Sequence, residues 1–327
     1  MMRDFAAMAP EEARKKYSLR DDTRDWKIAD AQADLKRTGC REDHVKPILY
    51  RPFDSRWIYY TEQSKGVLCM PRGKIMRQML LMPNLGLVSV RQVAEGNFNH
   101  VFVADTIIGN RVTYSSAGTT YLFPLYVMQE NGIKDYIPAR TANFSDPFLA
   151  FLAERYCSRK TPEEVLGYIY AILHSMNYRR RYIDFLEVDF PRILFVDCEA
   201  DFDVLGQLGS RLINLHMMRQ VPSKKGCFFQ NNPTLGSDIM VEKVRYDQHL
   251  RQIWINAECG FSGVAPADWR LRIGGYQVLK KYLQDRKGRC LSLDEITHLE
   301  KVIGVLAESA EISAEIDRLF MHVFPEG

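Results

Sequence analysis

The chain has 327 residues, of which 46% are hydrophobic and 26% are charged, and its formal net charge is only +3. These values indicate an ordinary globular chain that can bury a hydrophobic core. The net charge is too small to indicate a class of binding partner by itself. No stretch approaches the roughly 18 consecutive apolar residues of a membrane helix, and charged residues near the start exclude the apolar core of a signal peptide, so we expect a cytoplasmic protein.

The predicted elements come in blocks along the chain. Residues 1–45 are helical in character, 46–145 are rich in short strands with one helix at 72–82, and 146–220 read as helices. Residues 221–290 return to strands, notably 239–246 and 252–256, before a helix at 277–285, and 291–327 form a final helix. Because the strands and helices are grouped and do not alternate, the pattern predicts an α+β fold.

Two helix starts carry strong local signals. Thr161-Pro162-Glu163-Glu164 supplies an N-cap residue, a proline in the first turn and two acids, and Ser292-Leu293-Asp294-Glu295 matches a capping box. The final helix that follows has apolar residues at helical spacing from 296 to 306. These patterns predict a helix that begins at each of the two sites.

Charge is distributed unevenly toward the end of the chain. Residues 219–289 contain thirteen Lys or Arg and six Asp or Glu, whereas 291–327 contain two basic and eight acidic residues. A basic body with an acidic helical tail allows a polyanion to dock on one part while the tail packs elsewhere.

Motifs for catalysis or cofactor binding do not emerge from the sequence. Asn231-Asn232-Pro233-Thr234 lacks the second proline and the aromatic residue of an amino-group methyltransferase motif, and no Gly-x-x-x-x-Gly-Lys-Ser/Thr loop occurs. The seven cysteines and seven histidines have no metal-ligand spacing, and we interpret His174 as a satisfied helical histidine. We predict no catalytic residue, cofactor site or metal site in this chain.

An acidic cluster leaves a hydrolase as a weaker alternative. Asp197, Glu199 and Asp201 follow a strand-like run, and a metal-dependent nuclease site needs such carboxylates. Acids in the first turn of a helix explain them more simply.

Several loops combine cations with amides or hydroxyls, which are the side chains that read base edges and hold phosphates. An ordinary surface loop has the same composition, so this alternative remains open. The candidate DNA-binding residues are Arg72, Lys74, Arg77, Arg91, Gln92, Asn97, Asn99, Arg111, Ser116, Thr119, Lys224, Lys225 and Asn231.

Other basic runs are candidate phosphate contacts of the non-specific kind. They are residues 179–181, although three adjacent helical arginines cannot all face one strand, and residues 280–281 and 286–289. In the run 50–57, phosphate binding by Arg51 and Arg56 is one alternative, and we prefer the structural one, with Phe53 and Trp57 in the core and Asp54 pairing an arginine.

Several short sequence segments, in the same order along the chain, resemble the C-terminal target-recognition region of type ISP restriction-modification enzymes. The likeness runs from about residue 15 to the end. The segments include Ile-Leu-Tyr-Arg-Pro-Phe-Asp-Ser-Arg at 48–56, Asn-Leu-Gly-Leu at 84–87, Tyr-Ile-Tyr-Ala-Ile-Leu-His-Ser at 168–175, Asp-Phe-Pro-Arg-Ile at 189–193 and Gly-Gly-Tyr-Gln-Val-Leu-Lys-Lys at 274–281.

The resemblance implies sequence-specific recognition of double-stranded DNA without catalysis by this chain alone. It implies a methyltransferase domain, on the same or a neighbouring polypeptide, as the second partner, with residues 1–45 as a helical connector to it. S-adenosylmethionine, ATP and Mg would bind only in other domains of such an enzyme. The abrupt start predicts a fragment or a split reading frame. An assembly module that packs on a methyltransferase or another partner is the alternative, motivated by the acidic final helix and its apolar stripe.

Overall fold

A computed structural model of the chain describes residues 1–93, 96–114, 118–128, 140–231 and 239–325. Helices and small sheets occur in blocks, which confirms the predicted α+β class. Among the described residues, no helix combines the length and the apolar character needed to cross a membrane.

The first part of the chain is helical, as predicted. Gln32 anchors it by donating from Nε2 to the carbonyl oxygens of Phe5 (2.8 Å) and Met8 (2.9 Å). A small apolar cluster of Ala6, Leu35 and Tyr59 joins these helices to the first sheet. The helices are α1 (Met2–Ala7), α2 (Pro10–Lys16) and α3 (Ile28–Thr38).

The following part contains three small sheets in its described residues. In the first, β2-β1-β5, β1 pairs antiparallel with β2 and parallel with β5. The second, β4-β3-β6, is antiparallel, as is the β7-β8 pair. The elements are β1 (Val45–Arg51), β2 (Asp54–Tyr59), α4 (Gly73–Met76), β3 (Gly86–Val90), β4 (Phe102–Ala104), β5 (Ile107–Ile108), β6 (Thr120–Pro124), β7 (Tyr126–Met128) and β8 (Arg140–Ala142).

Two helices in the middle of the chain approach each other unusually closely. A Cβ built on Gly209 would lie 1.8 Å from the carbonyl oxygen of Gly167, so both helices need glycine at the crossing. The capping box at Thr161 is present, which confirms that helix start. The helices are α5 (Asp146–Arg155), α6 (Pro162–His174), α7 (Met176–Arg181), α8 (Ile183–Val188) and α9 (Glu199–His216).

The last part combines a four-stranded antiparallel sheet, ordered β10-β11-β12-β9, with a long final helix. The final helix packs on α6, α7 and α9 and starts at the predicted capping box of Ser292. The elements are β9 (Cys227–Gln230), β10 (Arg245–Asp247), β11 (Gln252–Trp254), β12 (Cys259–Ser262), α10 (Pro266–Arg270), β13 (Arg272–Ile273), β14 (Tyr276–Gln277), α11 (Val278–Gln284) and α12 (Leu293–Val323).

One large apolar cluster extends from Leu49 to Phe320 and joins the strand-rich, helical and C-terminal parts. The predicted boundaries at 45, 145, 220 and 290 stay a prediction. The cluster matters for the site because it fixes loops from distant parts of the sequence against one another.

Three local expectations are wrong in detail. Trp57 is 74% exposed on the edge strand β2, although Tyr59 on the same strand is buried, whereas Phe53 is buried as predicted. The helix expected at 72–82 is shorter, since Arg72 has a left-handed backbone (φ 53°) and a 3-10 turn (Arg77–Met79) follows α4. The strand expected at 239–246 is confined to β10 and an isolated bridge between Met240 and Cys290.

Candidate nucleic-acid interface

Two tyrosines fix three loops of the strand-rich part. The hydroxyl of Tyr276 donates to the carbonyl oxygens of Arg111 (3.2 Å) and Tyr114. The hydroxyl of Tyr114 in turn donates to the carbonyl oxygen of Gln92. Burial raises the pKa of both hydroxyls, so they remain protonated donors. The backbones of Gln92 and Arg111 are thereby held in a fixed relation.

A second set of contacts adds Arg72 and Thr119 to the same region. Nη1 of Arg72 donates to the carbonyl oxygen of Thr120 (3.3 Å), and the amide of Thr120 donates to the carbonyl oxygen of Asn110 (3.1 Å). Thr119 and Arg111 are the chain neighbours of Thr120 and Asn110, so these hydrogen bonds link the segments of both residues to Arg72.

The turn between β13 and β14 adds Asn99. The amide of Gly274 donates to the carbonyl oxygen of Asn99 (3.0 Å), and Nδ2 of Asn99 donates to the carbonyl oxygen of Arg272 (3.4 Å). Gly274 has φ +58°, and a Cβ there would lie 1.8 Å from the carbonyl oxygen of Thr113. A glycine is therefore required where the turn seats against the loops.

These contacts link the segments of five candidates, a sixth, Asn97, lies two residues before Asn99, and we call their surface the loop face. Gln92, Asn97 and Arg111 are exposed, and the other three are partly buried. Exposed amides can pair with adenine edges and exposed guanidinium groups with guanine edges or phosphates. The loop face consists of Arg72, Gln92, Asn97, Asn99, Arg111 and Thr119.

Two of the other arginine candidates are held by carboxylates. Nε and Nη2 of Arg77 donate to Oε2 of Glu62 at 2.9 and 2.7 Å, and Nε of Arg91 donates to Oδ1 of Asp189 at 3.0 Å. Lys74 is exposed, and no described carboxylate lies within ion-pair distance of it. Lys74 therefore has more freedom to meet a phosphate than either arginine.

The remaining candidates lie outside the loop face. Lys224 and Lys225 are exposed on a segment that packs on α12, where the amide of the next residue, Gly226, donates to the carbonyl oxygen of Glu300 (3.0 Å). Asn231 follows β9 and donates its amide to the carbonyl oxygen of Glu258 (3.0 Å). Ser116 lies outside the described residues.

A cleft of about 650 Å³ opens beside the loop face, with Asn97 and Asn99 on its wall. Sequence reasoning did not assign this cleft, although it noted the arginine run at 179–181. Arg179 and Arg180 line the cleft, whereas Arg181 turns away and donates from Nη1 to the carbonyl oxygen of Phe324 (2.7 Å). The different directions predicted for adjacent helical arginines are thus confirmed.

Two buried histidines on the cleft wall are uncharged. Nδ1 of His174 donates to the carbonyl oxygen of Tyr170 (2.8 Å), which confirms the expected helical contact. Burial holds the pKa of His174 well below its usual value and lowers the pKa of His216 to about 3. Positive charge in the cleft therefore comes from arginine.

One expected phosphate contact is wrong, and a second expected contact is paired with a carboxylate but exposed. Arg286 is buried, and its guanidinium pairs with Asp54 (2.9 Å) and Glu295 (2.7 Å). Arg289 pairs with the same glutamate. The partner Asp54 is the aspartate expected to pair with an arginine, and it also contacts Arg56 (3.0 Å). Arg286 therefore stabilises the fold and is not available to a nucleic acid, whereas the side chain of Arg289 remains 51% exposed.

The acidic cluster has a structural explanation. Glu199 and Asp201 lie in the first turn of α9, as expected, and Nζ of Lys160 lies 2.8 Å from Oε1 of Glu199. Hydrogen bonds from Lys160 and Ser158 lower the pKa of Glu199 to about 2. Asp197 pairs with Arg155. No group of three or more His, Cys, Asp or Glu in the described parts of the chain could hold a metal ion.

Comparison with known proteins gives one family and several solved structures. The family model described as the Type ISP C-terminal specificity domain matches residues 1–314. No curated protein matches.

The similar structures are complexes with DNA or with a DNA substrate mimic. The ATP-dependent Type ISP restriction-modification enzyme LlaBIII bound to DNA has 15% identity and a TM-score of 0.69, over 96% of this chain and 21% of that one. A DrdV–DNA complex has 22% identity and a TM-score of 0.69, and the match covers 100% of this chain and 33% of the DrdV chain. A nuclease-deletion mutant of the Type ISP enzyme LlaGI with a DNA substrate mimic has 16% identity and a TM-score of 0.65. The match covers 97% of this chain and 30% of the LlaGI chain. The likeness shows a shared fold, and this chain spans a third or less of each structure.

Proposed function

Because the chain belongs to the Type ISP C-terminal specificity domain family, we propose that it selects the DNA sequence at which a Type ISP restriction-modification enzyme acts. The observation that carries the proposal is the loop face, where contacts between distant segments gather amide and guanidinium side chains on one surface. The DNA or DNA mimic in the complexes of LlaBIII, DrdV and LlaGI supports DNA as the ligand.

In this proposal the loop face meets a groove of the duplex. The amides of Gln92 and Asn97 contact base edges, since each amide offers a donor and an acceptor to an adenine. Arg111 contacts guanine or a phosphate, and Lys74 contacts a phosphate beside it. Lys224 and Lys225 add phosphate contacts farther along the duplex. Asn99 and Thr119 position the loops, because their backbones or neighbours carry the contacts that hold them.

We assign catalysis to other parts of such an enzyme. S-adenosylmethionine, ATP and Mg would bind outside this chain, whose role is to place the duplex for a methyltransferase domain on the same or a neighbouring polypeptide. The acidic cluster at 197–201 supports this division, since Asp197 pairs with Arg155 and Glu199 is bound by Lys160 and Ser158.

A specific observation favours an assembly surface for that methyltransferase domain on the β1–β2 ribbon. Trp57 is 74% exposed and Val45 is 44% exposed, and Trp57 pairs across the ribbon with Pro47, two residues from Val45. Large exposed apolar side chains grouped on one ribbon are typical of a protein contact. Replacing Trp57 with Ser should weaken binding of the methyltransferase domain and leave duplex binding by this chain unchanged.

Duplex binding by the purified chain tests the proposed function. Fluorescence anisotropy of a labelled duplex, titrated at several salt concentrations, should give an affinity that falls linearly on a log–log plot. A slope of about −0.9 is expected for each phosphate contacted. Absence of binding at low salt, or binding that does not depend on salt, would contradict phosphate-assisted recognition.

A further inference from the structure

The cleft beside the loop face concentrates positive charge. Its wall carries four arginines and one aspartate, Asp317, and its two histidines are uncharged. The resulting excess is as large as the formal net charge of the whole chain, +3. The arginines are Arg179 and Arg180 on α7, Arg270 at the end of α10 and Arg272 at the start of β13.

Arg179 is the innermost of these cations. Its Nε donates to the carbonyl oxygen of Leu173 (2.7 Å), and no described carboxylate lies within ion-pair distance of its guanidinium. Burial lowers the pKa of Arg179 to about 10, which still leaves it charged at neutral pH. A partly buried cation without a carboxylate partner is costly unless an anion binds beside it.

The aspartate on the wall does not neutralise the arginines. Oδ1 of Asp317 accepts hydrogen bonds from Oγ of Ser175 (2.7 Å) and from the amide of Asn177 (3.0 Å). This carboxylate therefore binds the first turn of α7, where the helix dipole also favours a negative charge. The excess of positive charge remains directed at the cleft.

The other polar groups suit an uncharged part of a ligand. Asn97, Ser309 and Ser313 line the same wall, and Oδ1 of Asn99 is buried without a hydrogen-bond partner. A buried acceptor without a partner loses free energy that a ligand donor would restore. The apolar remainder of the wall includes Leu306 and Ile273. The cleft volume lies in the range of about 300–1,000 Å³ that is usual for small-molecule sites.

We propose that this cleft is a binding site for a nucleotide, with the phosphate against Arg179 and its neighbouring arginines and the base toward Asn97 and Asn99. The nucleotide is either free in solution or part of a DNA strand. Asn97 and Asn99 belong to both the loop face and the cleft, but the assignment does not depend on the loop face reading a duplex, because it rests on the charge and volume of the cleft and on the unsatisfied Oδ1 of Asn99.

Calorimetric titration of the full 327-residue chain tests this proposal. The probes are the four 2′-deoxynucleoside monophosphates, the matching nucleosides without phosphate, and a short single-stranded oligonucleotide. At least one phosphate-bearing probe should bind, and the nucleosides should bind at least about tenfold more weakly. Binding of a monophosphate identifies a free nucleotide, and binding of the oligonucleotide alone identifies a nucleotide within DNA.

Variants separate the cleft from general electrostatic attraction. Arg179→Ala should weaken binding of the phosphate-bearing probe about tenfold or more, and Arg179→Lys should restore part of it. Arg211→Ala removes an exposed arginine on α9 outside the cleft wall and should leave binding unchanged. Arg180→Ala, an exposed cleft residue, provides a second test if Arg179→Ala does not fold.

Equal binding of nucleotides and nucleosides, equal effects of Arg179→Ala and Arg211→Ala, or no binding of any probe would overturn the proposal. Duplex binding by the same sample, measured by anisotropy, reports separately on the proposed function. A chain that binds duplex but no nucleotide would therefore contradict the cleft assignment alone.

Discussion

Arg286 reaches Asp54 across 232 residues of sequence, and its Nη2 donates to Oδ1 of that aspartate at 2.9 Å. Asp54 is 2% exposed and Arg286 is 7% exposed. The aspartate lies at the start of β2, and the arginine follows α11, so this buried pair joins the first sheet to the C-terminal part of the chain.

Removing one member of this pair should strongly destabilise the fold. Asp54→Ala leaves a buried guanidinium with only Glu295 as a carboxylate partner, and we expect the free energy of unfolding to fall by about 3 kcal/mol. Urea denaturation measures the change. The matched control is Arg219→Ala, which breaks the half-exposed pair with Asp105 (3.1 Å) and should cost at most about 1 kcal/mol. Similar losses in both variants would contradict a structural role for the buried pair.

The crossing of α6 and α9 predicts opposite effects for two glycines of one helix. Gly209→Ala places a methyl group against the backbone of Gly167, so the helices must separate, at a cost of about 1–3 kcal/mol. Gly206→Ala meets its nearest atom, the carbonyl oxygen of Glu164, at 3.4 Å and gains up to about 1 kcal/mol of helix propensity. Thermal unfolding followed by circular dichroism compares the two. Destabilisation by Gly206→Ala as large as that by Gly209→Ala would refute the close crossing.

The protein should lose stability below neutral pH because His216 is buried uncharged. Its ring stacks on Phe102 and contacts Tyr170 (2.6 Å) and Ser309 (3.2 Å). Burial lowers its pKa from 6.5 to about 3, so between these values the unfolded chain binds a proton that the folded chain does not. The contribution of His216 to the free energy of unfolding is fully present above pH 6.5 and is lost as the pH falls toward 3. The loss is about 2 kcal/mol at pH 5.

Urea denaturation at pH 7.5 and pH 5 checks this dependence. His216→Asn should lose about 2 kcal/mol less than the original chain over that interval, even though it starts from a lower stability. His249→Asn, at an exposed position, is the control and should keep the original pH dependence. An unchanged dependence in His216→Asn would show that other groups account for it.

Substitutions at Lys74 and at Asn97 of the loop face should have different effects on DNA binding, the first on affinity and the second on sequence specificity. Lys74→Ala should weaken binding to all duplexes and reduce the salt slope by about one, whereas Asn97→Ala should relax the preference at one base position by about 1–3 kcal/mol. Anisotropy titrations with matched duplexes measure both effects. Lys36→Ala, on the exposed side of α3, is the charge control and should alter neither. Equal effects of Lys36→Ala and Lys74→Ala would contradict the placement of the duplex.

Local chemistry in the sequence predicts helix starts well. The patterns at Thr161 and Ser292 place α6 and α12 correctly because a capping box is formed by residues three positions apart. Exposure depends on partners that are distant in sequence. Trp57 is a large apolar residue that the sequence assigns to the core, yet it is 74% exposed, whereas Tyr59 on the same strand is 6% exposed.

The candidate nucleic-acid interface likewise depends on contacts between residues that are distant in sequence. Arginine runs in the sequence suggest phosphate contacts, but Arg286 forms a buried ion pair with Asp54 of the first sheet. The loop face is identified only once Tyr114 and Tyr276 bring residues 92, 111 and 114 together. The cleft needs α7 and the α10–β13 connection to meet, and no local pattern encodes that contact.

Selection from a pool of random duplexes tests the central claim most directly. The purified chain, incubated with the pool at moderate salt, should enrich one asymmetric or palindromic sequence over successive rounds. The joint change Gln92→Ala and Asn97→Ala should flatten that preference while duplex binding persists. Binding without enrichment of any sequence by the unaltered chain would contradict a role in sequence recognition.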